Sequence, residues 1–303
     1  MRVLVTGGAG FIGSHTVEAL LDAGCEVVVL DNLSSGSPAN LPDHPRLTLV
    51  EDDIRDRTAV AAAMKGCTHA LNLAAQVSVR LSIEDPPTSA QHNVLGFANV
   101  LDCARHQKLE RVVYASSASV YGDPVELPLT EESTPIPLSP YGLDKLVNEQ
   151  QAALFRRLFG LSTVGLRYFN AYGPRQDPAS PYAGVISRFA ARIKANEPLT
   201  VFGDGQQTRD FIFVKDIARV NVAALQSAET GICAVGTGRS VTLLELIEEL
   251  GRCIGQKPQV RHDEPMVGDI RHSAVTPRRM KEWFEEISPV ELSAGLPSLF
   301  ADD

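Results

Sequence analysis

A chain of 303 residues, 44% of them apolar and 21% charged, can bury one large core or two modest ones, which excludes a disordered or low-complexity protein. A net charge of −9 with no block of Lys and Arg excludes a broad nucleic-acid surface, because phosphate backbones demand clustered cations. Cys25, Cys67, Cys103, Cys233 and Cys253 are odd in number and widely scattered, and His92, His106 and His272 lack ligand-like spacing, so neither a disulfide framework nor a metal site is expected.

The opening "MRVLVTGGAGFIGSH" is an apolar run broken by glycines, which fits neither a signal peptide nor a membrane span, so cytoplasmic residence is the expectation. "RVLVT" predicts a buried strand, "FIGSHTVEALLDAG" a helix ending at Gly24, and "EVVVLD" a second strand. The alternation continues with the strand "LTLVEDD", the helix "RTAVAAAMKG", the strand "THALNLAA", a long helix "TSAQHNVLGFANVLDCARHQ" and the strand "RVVYASS". A helix from Ser139 to about Phe159 and the strand "STVGLRYFN" follow. Strand, helix, strand in this order signals a parallel sheet with helices on both faces. After Asn170 the Pro- and Gly-rich "AYGPRQDPASPYAG" marks passage into a smaller lobe, and "RDFIFVKDIARVNVAAL" reads as a strand and helix returning to the first. The predicted architecture is α/β: a doubly wound parallel-sheet domain over 1–170 and 209–229, and a smaller C-terminal α/β domain over 171–208 and 230–303.

"TGGAGFIG" places Gly7, Gly10 and Gly13 in the turn between the first strand and its helix. A backbone without side chains there lets a pyrophosphate approach the helix N-terminus, whose free N–H groups favour anions. The glycines alone would equally suit a tight turn. Asp31, closing the second strand, stands where an acid accepts the adenosine ribose hydroxyls, and that context favours a dinucleotide in a Rossmann-type domain. Asn32 and Leu33 follow without arginine, which favours NAD over NADP. Asp53 and Ile54, after the third strand, fall where the adenine would lie, while Asp52 and Asp56 also suit a solvated strand end.

"SPYGLDKLVNEQ" sets Ser139 as N-cap and Pro140 at the first helical position, so Tyr141 and Lys145 share one helix face. Alone, Tyr141 would pass for a half-buried aromatic. Beside it Ser116, Ser117 and Ser119 emerge at the carboxyl end of a parallel strand, where ligands of such folds bind. A lysine near the phenol, with a nicotinamide cation close by, would lower the tyrosine pKa and make Tyr141 a general base.

With these motifs the chain resembles the extended short-chain dehydrogenase/reductase family, and within it the UDP-hexose 4-epimerases. The matching stretches are "TGGAGFIG", "DNLSSG", "LAAQ", "SSASVYG", "SPYGLDK", "LRYFNAYGPRQDP" and "FGDGQQTRDFIFVKDIA", in order from Met1 to about Ala218. The resemblance implies an NAD-dependent isomerase that interconverts UDP-glucose and UDP-galactose, and UDP-GlcNAc and UDP-GalNAc, through a 4-keto intermediate. It makes Tyr141 the base, Lys145 the ligand of the nicotinamide ribose and Ser117 the partner of the sugar oxygen. To the cofactor it adds Phe11, Ile12, Asn32, Leu73, Ala74, Ala75, Asn93 and Tyr168. To the substrate it assigns Ser78, Ser119, Gln176, Gly184 and Val185, with Asn170 and Arg209 on the diphosphate and Val201 and Phe202 at the uracil. Without it, Asn170 and Arg209 would read as a capped turn and a solvated cation.

Asp269 and Arg271 complete the implied substrate set, but Met266 stands where members commonly carry an arginine, and "SAVTPRRM" lacks a usual aspartate. Ser273, small like Gly184, implies a sugar pocket open to N-acetyl groups. A 4,6-dehydratase is disfavoured because Ala118 and Ser119 replace its Asp-Glu pair. A UDP-glucuronate epimerase or decarboxylase is disfavoured by Asp177, and a nonenzymatic NAD-binding regulator by the intact Ser117, Tyr141 and Lys145. The resemblance also implies a homodimer, with Val94, Phe97, Val100, Leu101, Leu146 and Ala153 as candidate interface positions, although packing within one subunit accounts for them as well.

Overall fold

The computed structural model describes residues 1–124, 126–178, 184–264 and 270–301. Its first half runs β1 (Arg2–Thr6), α1 (Phe11–Asp22), β2 (Glu26–Asp31), β3 (Leu47–Glu51), α2 (Arg57–Ala63) and β4 (His69–Asn72). Then come α3 (Val79–Glu84), α4 (Pro86–Ala90), a π turn (Gln91–Leu95), α5 (Gly96–His106), β5 (Arg111–Ser117), α6 (Pro140–Phe159) and β6 (Ser162–Tyr168). The second half runs β7 (Asn170–Tyr172), α7 (Val185–Lys194), β8 (Leu199–Phe202), β9 (Thr208–Phe213), α8 (Val214–Gln226) and β10 (Gly231–Val235). It ends with β11 (Ser240–Thr242), α9 (Leu243–Ile254), β12 (Val260–Asp263), α10 (Arg278–Trp283) and α11 (Leu292–Gly295).

The large sheet has the order β3, β2, β1, β4, β5, β6, β10, and every pair in it is parallel. Side-chain alternation explains how helices come to cover both faces. Val3 and Val5 pack with Val17 and Leu20 of α1 and Val220 and Ala224 of α8, whereas Leu4 packs with Val60 of α2 and Phe97 and Val100 of α5. Each such fully buried Leu or Phe stabilises the fold by roughly 1.5–3 kcal/mol relative to exposure. The strand order reverses between β1 and β4, whose ends align Thr6 with Asn72, and ligands of doubly wound sheets bind outside the carboxyl ends at that point.

The structure alters three sequence expectations. The stretch 88–107 is not one regular helix, because a π turn separates α4 from α5. β9 does not rejoin the first lobe: it pairs with β7 and β11 in a three-stranded sheet, and only α8 returns to pack on α1. β10, expected in the second lobe, forms the edge of the large sheet beside β6. Strand periodicity reports burial and not the identity of the neighbouring strand, so these pairings had no local signature. The smaller sheets, including parallel β8 and β12, share a core of Tyr172, Phe189, Leu199, Phe211 and Leu246.

Candidate active site

The glycine turn joins β1 to α1 with Gly10 as the N-cap. A Cβ on Gly13 would stand 2.1 Å from the Gly7 carbonyl oxygen, so the turn closes this tightly only without that side chain. Phe11 and Ile12 open α1, half-buried. Asp31 is 7% exposed, and its two oxygens accept the main-chain N–H groups of Ala9 and Leu33, both at 2.9 Å. The carboxylate thus braces the turn and keeps lone pairs for ribose hydroxyls. Leu73, Ala74 and Ala75 lead half-buried from the end of β4. Ile54 is buried in the core near α5, and Asn99 of that helix donates to its carbonyl at 3.0 Å. The bare turn and the braced acid fit a dinucleotide.

Asp53 is less free than its position suggested. Arg55 forks onto its two oxygens at 3.0 and 2.8 Å, and Asn32 donates to it at 2.8 Å. Partial burial pushes this carboxyl up, but the Arg55 bonds outweigh that and hold it well below the usual carboxylate range. The Tyr168 hydroxyl donates to Asn221 at 2.6 Å, inside the core between α1 and α8. Its ring and main chain are what it has left to offer a cofactor.

Tyr141 and Lys145 stand on the first turns of α6, where Ser139 caps the helix by accepting from the Gly142 N–H at 3.1 Å. A Cβ on Gly142 would meet the Ser119 carbonyl oxygen at 2.5 Å, so glycine lets this helix end press against the serine turn. Ser117 shares hydrogen bonds with the Tyr141 phenol and, at 3.1 Å, with Ser119. Lys145 is 2% exposed, its Nζ donates to the Ala115 carbonyl at 3.1 Å, and it lies 5.7 Å from the Tyr141 ring centre. Burial pulls the ammonium pKa down to about 8, with Asp144 opposing. Burial pushes the phenol up to about 12, the Ser117 bond lowering it and Asp144 adding to the rise. The protein alone therefore does not acidify Tyr141, contrary to the simplest reading of the Tyr/Lys pair.

Sequence reasoning missed the supports of this helix. Glu149, two turns beyond Tyr141, accepts Ser116 Oγ at 2.6 Å and Arg167 Nε and Nη2 at 2.8 Å each. Both partners of the Arg167–Glu149 pair are buried, and Arg167 also donates to the Tyr121 hydroxyl at 2.8 Å. Asn93, expected beside the cofactor, is buried and joins the main chain of Gln76 to Asp144. Acids at buried positions of the Tyr/Lys helix were the available signal.

The second lobe carries a cleft of about 650 Å³. Its lining includes the expected Asn170, Gly184, Val185, Phe202 and Arg209. Asn170 Nδ2 donates to the Asp210 carbonyl at 2.9 Å. Val201 is fully buried in the core, and strand alternation turns Thr200 and Phe202 to the cleft in its place, which corrects the expectation for its side chain. Gln176 borders the cleft at Gly184, its Oε1 buried without a hydrogen-bond partner among the described residues. Arg188, Arg192 and Arg261 were not foreseen; with Arg209 they set four arginines against Asp263 on the lining. Arg188 and Arg192 share one face of α7 four residues apart, but Arg209 of β9 and Arg261 of β12 come from other segments, so spacing could group only the first two.

The remaining expected residues lie elsewhere. Ser78 is buried and spends its hydroxyl capping α3 by accepting from Leu81 N–H at 2.9 Å. Arg271 forks onto Asp204 with both bonds at 2.7 Å. The main chain of Ser273 bridges β9 and β11, donating to Thr208 at 3.1 Å and accepting from Ser240 Oγ at 2.9 Å. Asp269 and Met266 fall outside the described residues. Among the described residues no cluster of three or more His, Cys, Asp or Glu could hold a metal, and no helix is long and apolar enough to cross a membrane.

Comparison with known proteins agrees with this geometry. The model of the NAD dependent epimerase/dehydratase family matches residues 3–236. A UDP-glucose 4-epimerase of Mycolicibacterium smegmatis is 37% identical over 303 residues, covering 98% of this chain and 96% of its own. The Thermus thermophilus UDP-glucose 4-epimerase, solved in complex with NAD, superposes with a TM-score of 0.91 at 37% identity over 100% of both chains. The UDP-N-acetylglucosamine 4-epimerase of Methanobrevibacter ruminantium, solved with UDP-N-acetylmuramic acid, gives 0.94 at 36% identity, covering 98% of this chain and 96% of that one. A glycine cradle with a braced acid, a serine, tyrosine and lysine at the sheet ends, and these relatives lead to one assignment: the chain belongs to the NAD-dependent epimerase/dehydratase family, with NAD as its cofactor.

Proposed function

We propose that this protein is a 4-epimerase of UDP-hexoses, interconverting UDP-glucose and UDP-galactose and also UDP-GlcNAc and UDP-GalNAc. The observation that carries the reading is the pairing of Ser117, Tyr141 and Lys145 at the sheet ends with an arginine-bearing cleft that begins at Asn170. The two lobes divide the work. Gly7, Gly10, Gly13 and Asp31 would hold NAD in the first, and Asn170 and Arg209 would hold the diphosphate from the second. When bound, NAD supplies the hydride acceptor and donor that C4 inversion requires, and its cationic ring favours ionisation of a phenol beside it.

The chain's own residues manage the proton and the pose. Tyr141 removes the C4 hydroxyl proton and later returns it to the oxygen of the 4-keto sugar. Ser117 holds that oxygen within reach of the phenol. Lys145, while protonated, stabilises the phenolate. The cleft grips the nucleotide, which leaves the hexose free to turn about its bond to the diphosphate and present its other face.

Assembly is part of the same proposal. Phe97, Val100 and Leu101 are fully buried within the subunit and cannot form the dimer face. Leu143, Leu154 and Leu158 of α6 are 51%, 41% and 59% exposed, and with Leu95 of the π turn they offer an apolar stripe for a second copy. A monomer mass in light scattering at micromolar concentration would reject it.

The deciding experiment incubates the purified protein with UDP-galactose and separates the products. UDP-glucose formation at a fixed equilibrium ratio is expected. A panel of UDP-glucose, UDP-GlcNAc, UDP-GalNAc and UDP-glucuronate ranks the sugars by kcat/KM. No turnover of any member rejects the proposal.

A further inference from the structure

Asp144 has no task in the proposed reaction, yet it occupies a position where charge matters most. It sits on α6 between Tyr141 and Lys145 and is 6% exposed. Its Oδ2 accepts hydrogen bonds from Ser89 Oγ at 2.6 Å and from Asn93 Nδ2 at 3.1 Å. Asn93 Oδ1 accepts the Gln76 N–H at 2.9 Å, and its Nδ2 donates to the Gln76 carbonyl at 3.0 Å. The π turn sets Asn93 in this position, and such local widening of a helix recurs at functional sites. One bonded chain therefore runs from the loop after β4 through Asn93 to the helix that carries the Tyr/Lys pair.

Among the described residues the other charged side chains on the elements around that pair are engaged with partners of their own. Glu149 of α6 and Arg167 of β6 are paired with each other. His92 of the π turn faces Arg55 and Asp53, and Asp85 caps α4. Asp102 of α5 pairs with Arg57 and Arg105. From α3 the contact on α6 is Ser82 Oγ, which accepts the Tyr141 N–H at 3.1 Å. The short helix after β5 brings Ser119 and Tyr121, the latter bonded to Arg167.

We infer that Asp144 is the positioning residue of the acid–base pair, its carboxylate serving as the counter-charge of buried Lys145 and as the anchor of α6 to the loop at Gln76. The inference rests on Tyr141 and Lys145 being that pair. A neighbouring negative charge makes both proton losses harder, phenol to phenolate and ammonium to amine. Removing the charge must lower both midpoints together. Lys145, already pulled down to about 8 by burial, would then shed its proton near neutral pH.

The test replaces Asp144 with an isosteric amide, Asp144→Asn, in the NAD-loaded full chain. Lysine labelled with 13C at Cε, with Lys145→Arg to assign the signal, reports the Lys145 midpoint by NMR without any turnover. That midpoint should fall by about one pH unit, and both limbs of the kcat profile should move to lower pH with it. Asp144→Glu, which retains the charge, should keep the parent midpoints. If Asp144→Asn does not fold, Asp144→Ser carries the same expectation. A Lys145 midpoint that stays in place in the neutral variants overturns the inference, as does a fall in kcat with no displacement of the profile. Absence of epimerase turnover in the parent would sink the proposed function instead, and the NMR titration would still read the coupling.

Discussion

The two ends of the proposed substrate path are built on different physical plans. Around α6 the polar side chains beside the proposed acid–base pair meet partners from other elements: Lys145 meets Ala115, Asp144 meets Ser89 and Asn93, and Glu149 meets Ser116 and Arg167. In the second-lobe cleft the arginines are partly open. Arg188 makes no ion pair among the described residues, and Arg261 Nε bonds only to the Thr200 hydroxyl at 3.0 Å. The first arrangement fixes geometry before a ligand arrives, as general acid–base work requires. The second offers charge that an anionic ligand completes. Positioning errors should therefore damage kcat at one end and KM at the other.

The sharpest way to break this comparison is at the phenol. Tyr141→Phe keeps the ring and removes the proton acceptor, so kcat should fall by roughly 10²- to 10⁴-fold while NAD stays bound. A variant with parental kcat would remove Tyr141 from the reaction. The next effect is on folding. Arg167→Ala strands the Glu149 carboxylate in a buried site, and breaking such a pair costs about 3–5 kcal/mol, measured by urea denaturation. The double variant Arg167→Met with Glu149→Leu should recover part of that loss, because neither charge is then left alone. Equal destabilisation of the single and double variants would mean that the pair is mere packing.

The same contrast explains what the sequence disclosed. Parallel strands buried on both faces are continuous runs such as "VVVL", and the Tyr/Lys pair shares one helix, so the first lobe and the placement of Tyr141 beside Lys145 were legible from local pattern. Pairing partners were not, which is why β9 and β10 were placed in the wrong lobes. The π turn also escaped, since one wider turn scarcely disturbs helical periodicity. The ion pair of Asp53 with Arg55, two residues on, also went unread, although both residues stand in one short stretch. Arg188 and Arg192 share one face of α7 at a helical spacing, whereas Arg261 of β12 and Arg209 of β9 join them only in the folded chain, so the four-arginine lining is a tertiary fact.

A gentler test separates the arginines of the cleft. Arg209→Ala removes charge-assisted hydrogen bonds to a diphosphate, each worth about 1.5–3 kcal/mol, which corresponds to roughly a 10- to 100-fold rise in KM. Its kcat should change little. Arg188→Ala should raise KM less, and its effect should fade with added salt, as expected for an exposed cation acting through charge alone. A kcat loss at Arg209 equal to that of Tyr141→Phe would erase the distinction between the two ends.

The smallest effect concerns the sugar itself, where the two ends meet. Ser273 is half-buried, and its main chain is fixed between β9 and β11 by bonds at 3.1 and 2.9 Å, so a larger side chain there should leave the backbone in place. If the space beside it admits an N-acetyl group, Ser273→Tyr should act by filling that space. Steric exclusion discriminates by what is added to the ligand. kcat/KM for UDP-GlcNAc and UDP-GalNAc should therefore drop by about 10-fold or more, within the range that pocket size can impose, while UDP-galactose changes by less than about 3-fold. An equal fall for plain and acetylated sugars would mean that the tyrosine disturbs the strands and not the pocket. A parent enzyme that already rejects both acetylated sugars would place the limiting wall elsewhere, and Gly184, where a Cβ would come within 3.4 Å of Gln176, would be the next position to enlarge.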